Sequence, residues 1–148
     1  MAEAAKQVIL VPVDFEAASF KAIELAKDLG GKMGAEVVLV HVYQLPVYTY
    51  PGLEPTLLPG FHAEVSSAAS RALEQLASQS GGLRYMLREG DAASEILATA
   101  EEVKPTMIAM GTHGRTGFAH VFLGSVAEKV IRKATAPVLT VRVPETTD

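Results

Sequence analysis

Cysteine is absent from this 148-residue chain. Disulfides, thiolate metal sites and thiol nucleophiles are excluded together, although that absence alone names no compartment. Nor is any apolar run long enough to span a membrane. The run from Val8 to Val13 is broken by Pro12, and Met1 to Gln7 lacks the basic start of a signal peptide. The expected location is therefore the cytoplasm. Positive charge is thin as well: 13 Lys and Arg face 17 Asp and Glu, the formal net charge is -4, and the cations are scattered. Such a chain has no electrostatic footprint for nucleic acid or an anionic membrane, and neither is expected as a partner. Internal repeats and linkers are also missing, so one domain over 1–148 is expected. A domain of that length buries about 70% of its unfolded surface without staples.

Two kinds of segment alternate along the chain. Runs rich in Val, Ile and Leu predict strands over residues 7–13, 36–42, 83–88, 106–110 and 138–143. Between them, apolar residues three or four apart predict helices. Ala22, Leu25, Ala26, Leu29 and Met33 form the first stripe, which Gly30, Gly31 and Gly34 close. Val65, Ala68, Ala69, Ala72, Leu73 and Leu76 form the second, and Ala93, Ile96, Leu97 and Ala100 the third. Pro105 and Pro137 stop the third and fourth helices. Strands this apolar, joined by helices, imply an open doubly wound α/β fold whose parallel sheet is covered on both faces. Residues 43–60 are the exception. Four prolines there exclude regular structure, while Tyr43, Tyr48, Tyr50, Leu53, Leu57 and Leu58 keep the segment apolar. Such a loop either folds onto its own side chains or serves as a lid or partner surface.

The most informative pattern is Gly111-x2-Gly114-x9-Gly124-Ser125. It follows the apolar run Thr106-Met107-Ile108-Ala109-Met110 and precedes Val126, Ala127, Val130, Ile131 and Ala134, which fall at helical spacing. A strand thus runs into a glycine loop and then a helix. The first N–H groups of a helix lack internal partners and lie at the positive end of its dipole, so an anion sits there without a lysine cage. Ser125 adds a donor. Singly, each glycine reads as a turn former; with Asp14 at the end of the first strand, the set favours a nucleotide. Asp14 alone reads equally as an Asx turn or helix N-cap, and the two roles are compatible with binding. Arg115 is open to two readings, a phosphate partner or a solvated loop cation, and His113 is similarly undecided.

Other signals reduce to structure. Gly30-Gly31-Lys32-Met33-Gly34 has the look of a P-loop, yet Met33 stands where Ser or Thr is needed and the segment ends a helix instead of opening one. G-x-G-x-x-G and G-x-S-x-G are both absent, which removes dinucleotide and nucleophile-elbow readings. His41, inside an apolar strand, reads as a hydrogen-bonded core imidazole; His62 and His120 read as surface residues. Their spacing offers no metal quartet, so no protein metal site is expected.

With strand one ending in Val11-Pro12-Val13-Asp14, strand two in Leu39-Val40-His41-Val42, and Met110-Gly111-Thr112-His113-Gly114-Arg115 opening the glycine loop, the chain resembles the universal stress protein family. The spacing to Gly124-Ser125 and the final Pro137-Val138-Leu139-Thr140-Val141 add to the resemblance, which covers nearly the whole chain. It implies a Rossmann-like five-stranded parallel sheet of order 3-2-1-4-5, with the ligand crevice where that order reverses, beyond the ends of strands one and four. It also implies the ATP-binding branch, whose G-x2-G-x9-G-[ST] pattern is intact. In that branch Pro12, Val13 and Asp14 border ribose and adenine, and the Val42 backbone meets the adenine edge. Met110, Gly111, Gly114, Gly124, Ser125 and Val126 hold ribose and phosphates. Family members often carry serine two residues after the aspartate. Here Glu16 stands there, leaving Ser19 or Asp14 to cap the first helix.

The function so implied is an ATP-binding, or other adenine-nucleotide-binding, stress-response regulator, with Mg accompanying the nucleotide and no catalytic residue required. A slow ATPase or phosphotransfer enzyme ranks second, because no general base is identifiable unless His113 turns inward. An interaction module without nucleotide is the third reading. Residues 138–143 form a long apolar edge strand in the implied order, protected only by Arg142, and a homodimer through it removes that exposed edge.

Overall fold

The computed structural model describes residues 6–45, 51–52, 60–112 and 123–143. Its elements run β1 (Val8–Pro12), α1 (Ala17–Met33), β2 (Glu36–Tyr43), α2 (Phe61–Gln79), β3 (Arg84–Glu89), α3 (Ala92–Val103), β4 (Met107–Gly111), α4 (Ser125–Lys133) and β5 (Val138–Val141). All strands pair in parallel, in the order β3-β2-β1-β4-β5. This is the open α/β sheet expected from the alternation of apolar runs and helical stripes.

Alternation along each strand sends side chains to opposite faces. Ile9, Val11, Val37 and Leu39 pack beneath Ala22, Ile23 and Ala26 of α1 and Leu73, Leu76 and Ala77 of α2. Leu10, Val38, Val40, Ile108 and Met110 pack beneath Ala93 and Ile96 of α3 and Ala127 and Val130 of α4. Both faces of β1 and β2 are therefore apolar, which is why their sequences read as continuous runs rather than alternating ones. Burying a Leu or Ile of this kind contributes about 1.5–3 kcal/mol.

The chain's punctuation acts largely as its residues suggest. Gly34, at φ 71°, ends α1 in the left-handed conformation that glycine adopts without a Cβ penalty, and its N–H bonds to the Gly30 carbonyl. The helix itself continues through Gly30 and Gly31, so Gly34 alone forms the cap. Lys104 ends α3 at φ 48°, directly before Pro105. Two boundaries depart from expectation with consequences. β4 extends through Gly111, which pairs with Val141, so that glycine belongs to the sheet and not to a loop. β5 stops at Val141, two residues short of the apolar run, and the Val141 carbonyl there accepts the N–H of Thr112, the residue after β4. Ile131, expected in the stripe of α4, is 42% exposed.

Candidate functional site

Helices α1 and α2 cover one face of the sheet and α3 and α4 the other, so the connections diverge between β1 and β4. A crevice opens at the carboxyl ends of these two strands, as the general rule for open sheets requires. It is a cavity of about 240 Å³ lined by Pro12, Val13, Asp14, Ser19, Val40, His41, Val42, Ala92, Ile96, Met110, Gly111 and Val126. Seven of the sequence-derived candidates thus converge: Pro12, Val13, Asp14, Val42, Met110, Gly111 and Val126. Gly124 and Ser125 stand at the start of α4 and are not part of this lining. His113, Gly114 and Arg115 lie outside the described residues.

The walls are apolar on both sides, from Val13, Val40 and Val42 to Ile96, Met110 and Val126. The polar end is the β1–α1 turn. The Asp14 carboxylate accepts the Glu16 N–H at 3.0 Å, an Asx turn, and also accepts the Ser19 hydroxyl at 2.5 Å. The Ser19 oxygen in turn accepts the Asp14 N–H at 3.0 Å. Glu16 occupies the N-cap position of α1 without a side-chain bond, so neither Asp14 nor Ser19 caps the helix in the ordinary sense; they bond to each other ahead of it. Phe15 sits at φ 63°, a region bulky side chains avoid. His41 buttresses it: its ring meets that of Phe15 edge-on at 4.7 Å, and Nδ1 lies 2.7 Å from the Val13 carbonyl. A carbonyl only accepts, so Nδ1 carries the proton. His41 is hydrogen-bonded as its sequence context suggests, but it is half-buried and lines the crevice instead of the core. His62 is exposed and pairs with Glu89 at 3.1 Å; His120 lies outside the described residues.

Gly111 needs a different explanation from the one its motif suggests. Its φ is not left-handed, and a Cβ there would come within 2.6 Å of the backbone carbon and Cβ of Ala18. The missing side chain lets β4 close onto the first turn of α1. Gly124 also has an ordinary φ, -60°. Neither glycine is thus required by a positive φ.

The α4 N-terminus carries no side-chain cap, whereas α3, which begins beside the same cavity at Ala92, is capped by Asp91. The Asp91 carboxylate accepts both the hydroxyl and the N–H of Ser94, at 2.8 and 3.0 Å. Those two bonds, the hydroxyl first, hold its carboxyl below the ordinary range, with Lys129 adding a smaller push in the same direction. Sequence reasoning missed Ser19, Val40, His41, Ala92 and Ile96 as lining residues: Ser19 was read as a candidate helix cap, and Ile96 and His41 as core. Gly90-Asp91 was the available signal for Ala92 and Ile96, since it marks the carboxyl end of β3 on the crevice side. Among the described residues no group of three or more His, Asp or Glu is placed to hold a metal ion, and no helix is long and apolar enough to cross a membrane.

Residues 6–142 match the model of the universal stress protein family. Universal stress protein MJ0531 of Methanocaldococcus jannaschii is 32% identical over 140 residues, which cover 93% of this chain and 82% of that protein. Among solved structures, MJ0577 of the same organism superposes with a TM-score of 0.74 at 24% identity, covering 97% of this chain and 100% of the other. A universal stress protein solved in complex with cAMP gives a TM-score of 0.59 at 23% identity, covering 94% and 98%. The family model spans nearly the whole chain and the fold superposes on solved members, and the chain belongs to the universal stress protein family.

Proposed function

We propose that this chain binds an adenine nucleotide, ATP foremost, in the crevice between β1 and β4, and that occupancy regulates its conformation or assembly in a cytoplasmic stress response. The observation that carries the reading is the convergence of Pro12, Val13, Asp14, Val42, Met110, Gly111 and Val126 on one cavity with apolar walls and the Asp14 carboxylate. Aliphatic walls suit a purine ring, a carboxylate suits sugar hydroxyls, and the side-chain-free start of α4 suits phosphates. Magnesium would arrive as the counter-ion of the phosphates, with Asp14 the one carboxylate among the described lining residues. The family structure holding cAMP supports an adenylate and leaves the phosphate arrangement open.

The same sheet supports pairing with a second copy. β5 is an edge strand, and α1 and α4, which pack against it, leave Phe20 and Ile131 exposed. A second copy pairing along β5 removes the open edge. Light scattering at micromolar concentration should therefore report a dimer.

The test is to denature freshly purified protein, identify any released small molecule by mass spectrometry, and titrate the emptied protein with Mg-ATP, Mg-ADP, AMP and cAMP in a calorimeter. Release of an adenylate, or saturable binding that raises the melting temperature, is expected. Ligand at about 100 times Kd stabilises by about 2.7 kcal/mol. A protein that yields nothing and binds none of the four sinks the reading.

A further inference from the structure

Ser19 has a buried hydroxyl with an unusual assignment. It is the third residue of α1 and only 3% exposed. Its backbone N–H bonds to the Glu16 carbonyl at 3.0 Å, as the first turn of a helix requires. Its hydroxyl caps nothing. The single O–H proton goes to Asp14 Oδ1, and the oxygen takes the Asp14 N–H. Oδ1 takes the Glu16 N–H as well, so both of these bonds fall on one carboxylate oxygen.

That arrangement restrains the Asp14 side chain. Asp14 is exposed, and an exposed aspartate ordinarily samples several rotamers. With Oδ1 held by two donors and the Asp14 amide held by the same hydroxyl, the plane of the carboxylate is set before any ligand arrives. The turn behind it is held too, by the His41 contacts to Val13 and Phe15. A preset acceptor discriminates between ligands that offer a hydroxyl and those that do not, because no ordering has to occur on binding.

We propose that Ser19 is a positioning residue that sets the preference of the crevice for ribose over deoxyribose, by holding Asp14 through Oδ1 in the orientation that receives a sugar hydroxyl. The proposal rests on the adenine-nucleotide reading and deepens it. Ser19 itself need not touch the ligand.

The experiment is calorimetric titration of the full chain with Mg-ATP, Mg-2′-deoxy-ATP and Mg-3′-deoxy-ATP, for the unmodified protein, Ser19→Ala, Asp14→Ala and the double variant. Hydrogen bonds to charged groups of this kind correspond to about a tenfold preference for ATP over the deoxy analogue whose hydroxyl Asp14 receives. Ser19→Ala should reduce that ratio to about threefold or less while deoxy-ATP affinity stays within about twofold. In the Asp14→Ala background Ser19→Ala should change nothing further. Ser19→Cys, close in size and a weaker donor, gives the same readout if the alanine variant folds poorly. A folded Ser19→Ala protein whose three affinities fall together, with the ratio intact, overturns the proposal, since that is the mark of a merely structural residue. An unmodified protein that binds ATP without any sugar preference overturns it as well. One that binds no ATP overturns the nucleotide reading itself, a separate and distinguishable failure.

Discussion

Helices α3 and α4 share one face of the sheet and both begin at its carboxyl end, yet their first turns are finished differently. α3 supplies its own anion: Asp91 closes onto the N–H and hydroxyl of Ser94. α4 starts from Gly124, which has no side chain to offer as a cap. A helix start must satisfy its first N–H groups by a cap, by water or by a ligand. The protein thus spends a cap where the helix is scaffold and withholds one where the crevice opens. That difference distinguishes a structural helix start from one available to a phosphate, which helical periodicity alone does not.

The strongest way to break the comparison is to give α4 the arrangement of α3. Gly124→Asp places a carboxylate over the donors that the nucleotide reading assigns to phosphate. Nucleotide affinity should fall by about a hundredfold or more, the size of losing one or two charge-assisted hydrogen bonds. The ligand-free protein should keep or slightly raise its melting temperature, because Asp is an N-cap at least as good as Gly. A folded Gly124→Asp variant with unchanged ATP affinity would mean that phosphates sit elsewhere. Gly111→Ala sharpens the comparison from the other end of the motif. Its Cβ would press within 2.6 Å of the Ala18 backbone, so α1 and β4 must part, at a cost of about 1–3 kcal/mol in denaturant unfolding. Unchanged stability there would remove the packing explanation and return Gly111 to a purely ligand-facing role.

These two glycines also mark how far the sequence can be read. Strand identity and helix identity were legible because burial on both faces writes continuous apolar runs such as Val37-Val38-Leu39-Val40, and because Gly34 and Pro105 mark helix ends. The crevice was legible in part, since Pro12, Val13, Asp14, Val42, Met110, Gly111 and Val126 do meet. The reason for Gly111 was not. Its neighbour Ala18 is far along the chain, and no local pattern records that a helix turn will press against a strand end. Ser19 was legible only as a candidate cap of the first helix, and only the folded turn shows its hydroxyl returning instead to the Asp14 carboxylate.

The smallest effect tests the scaffold side of the comparison. Asp91→Ala removes the cap of α3 and leaves the crevice walls Ala92 and Ile96 in place. The melting temperature should drop by a few degrees at most, in line with an exposed helix cap, and ATP affinity should stay within about twofold. The loss should depend on pH in a definite sense. The Ser94 hydroxyl and amide hold the folded Asp91 carboxyl below its unfolded value of about 3.9, so the folded state favours the ionised form. The stabilisation is therefore fully present above that unfolded value and is lost as pH falls through the lower, folded one. Melting curves of the two proteins should separate at neutral pH and converge in strong acid. A gap that stays constant down to pH values where carboxylates are protonated would show that Asp91 acts through shape and not charge. α3 would then owe nothing to a built-in anion, and its contrast with α4 would no longer explain why one helix start is open.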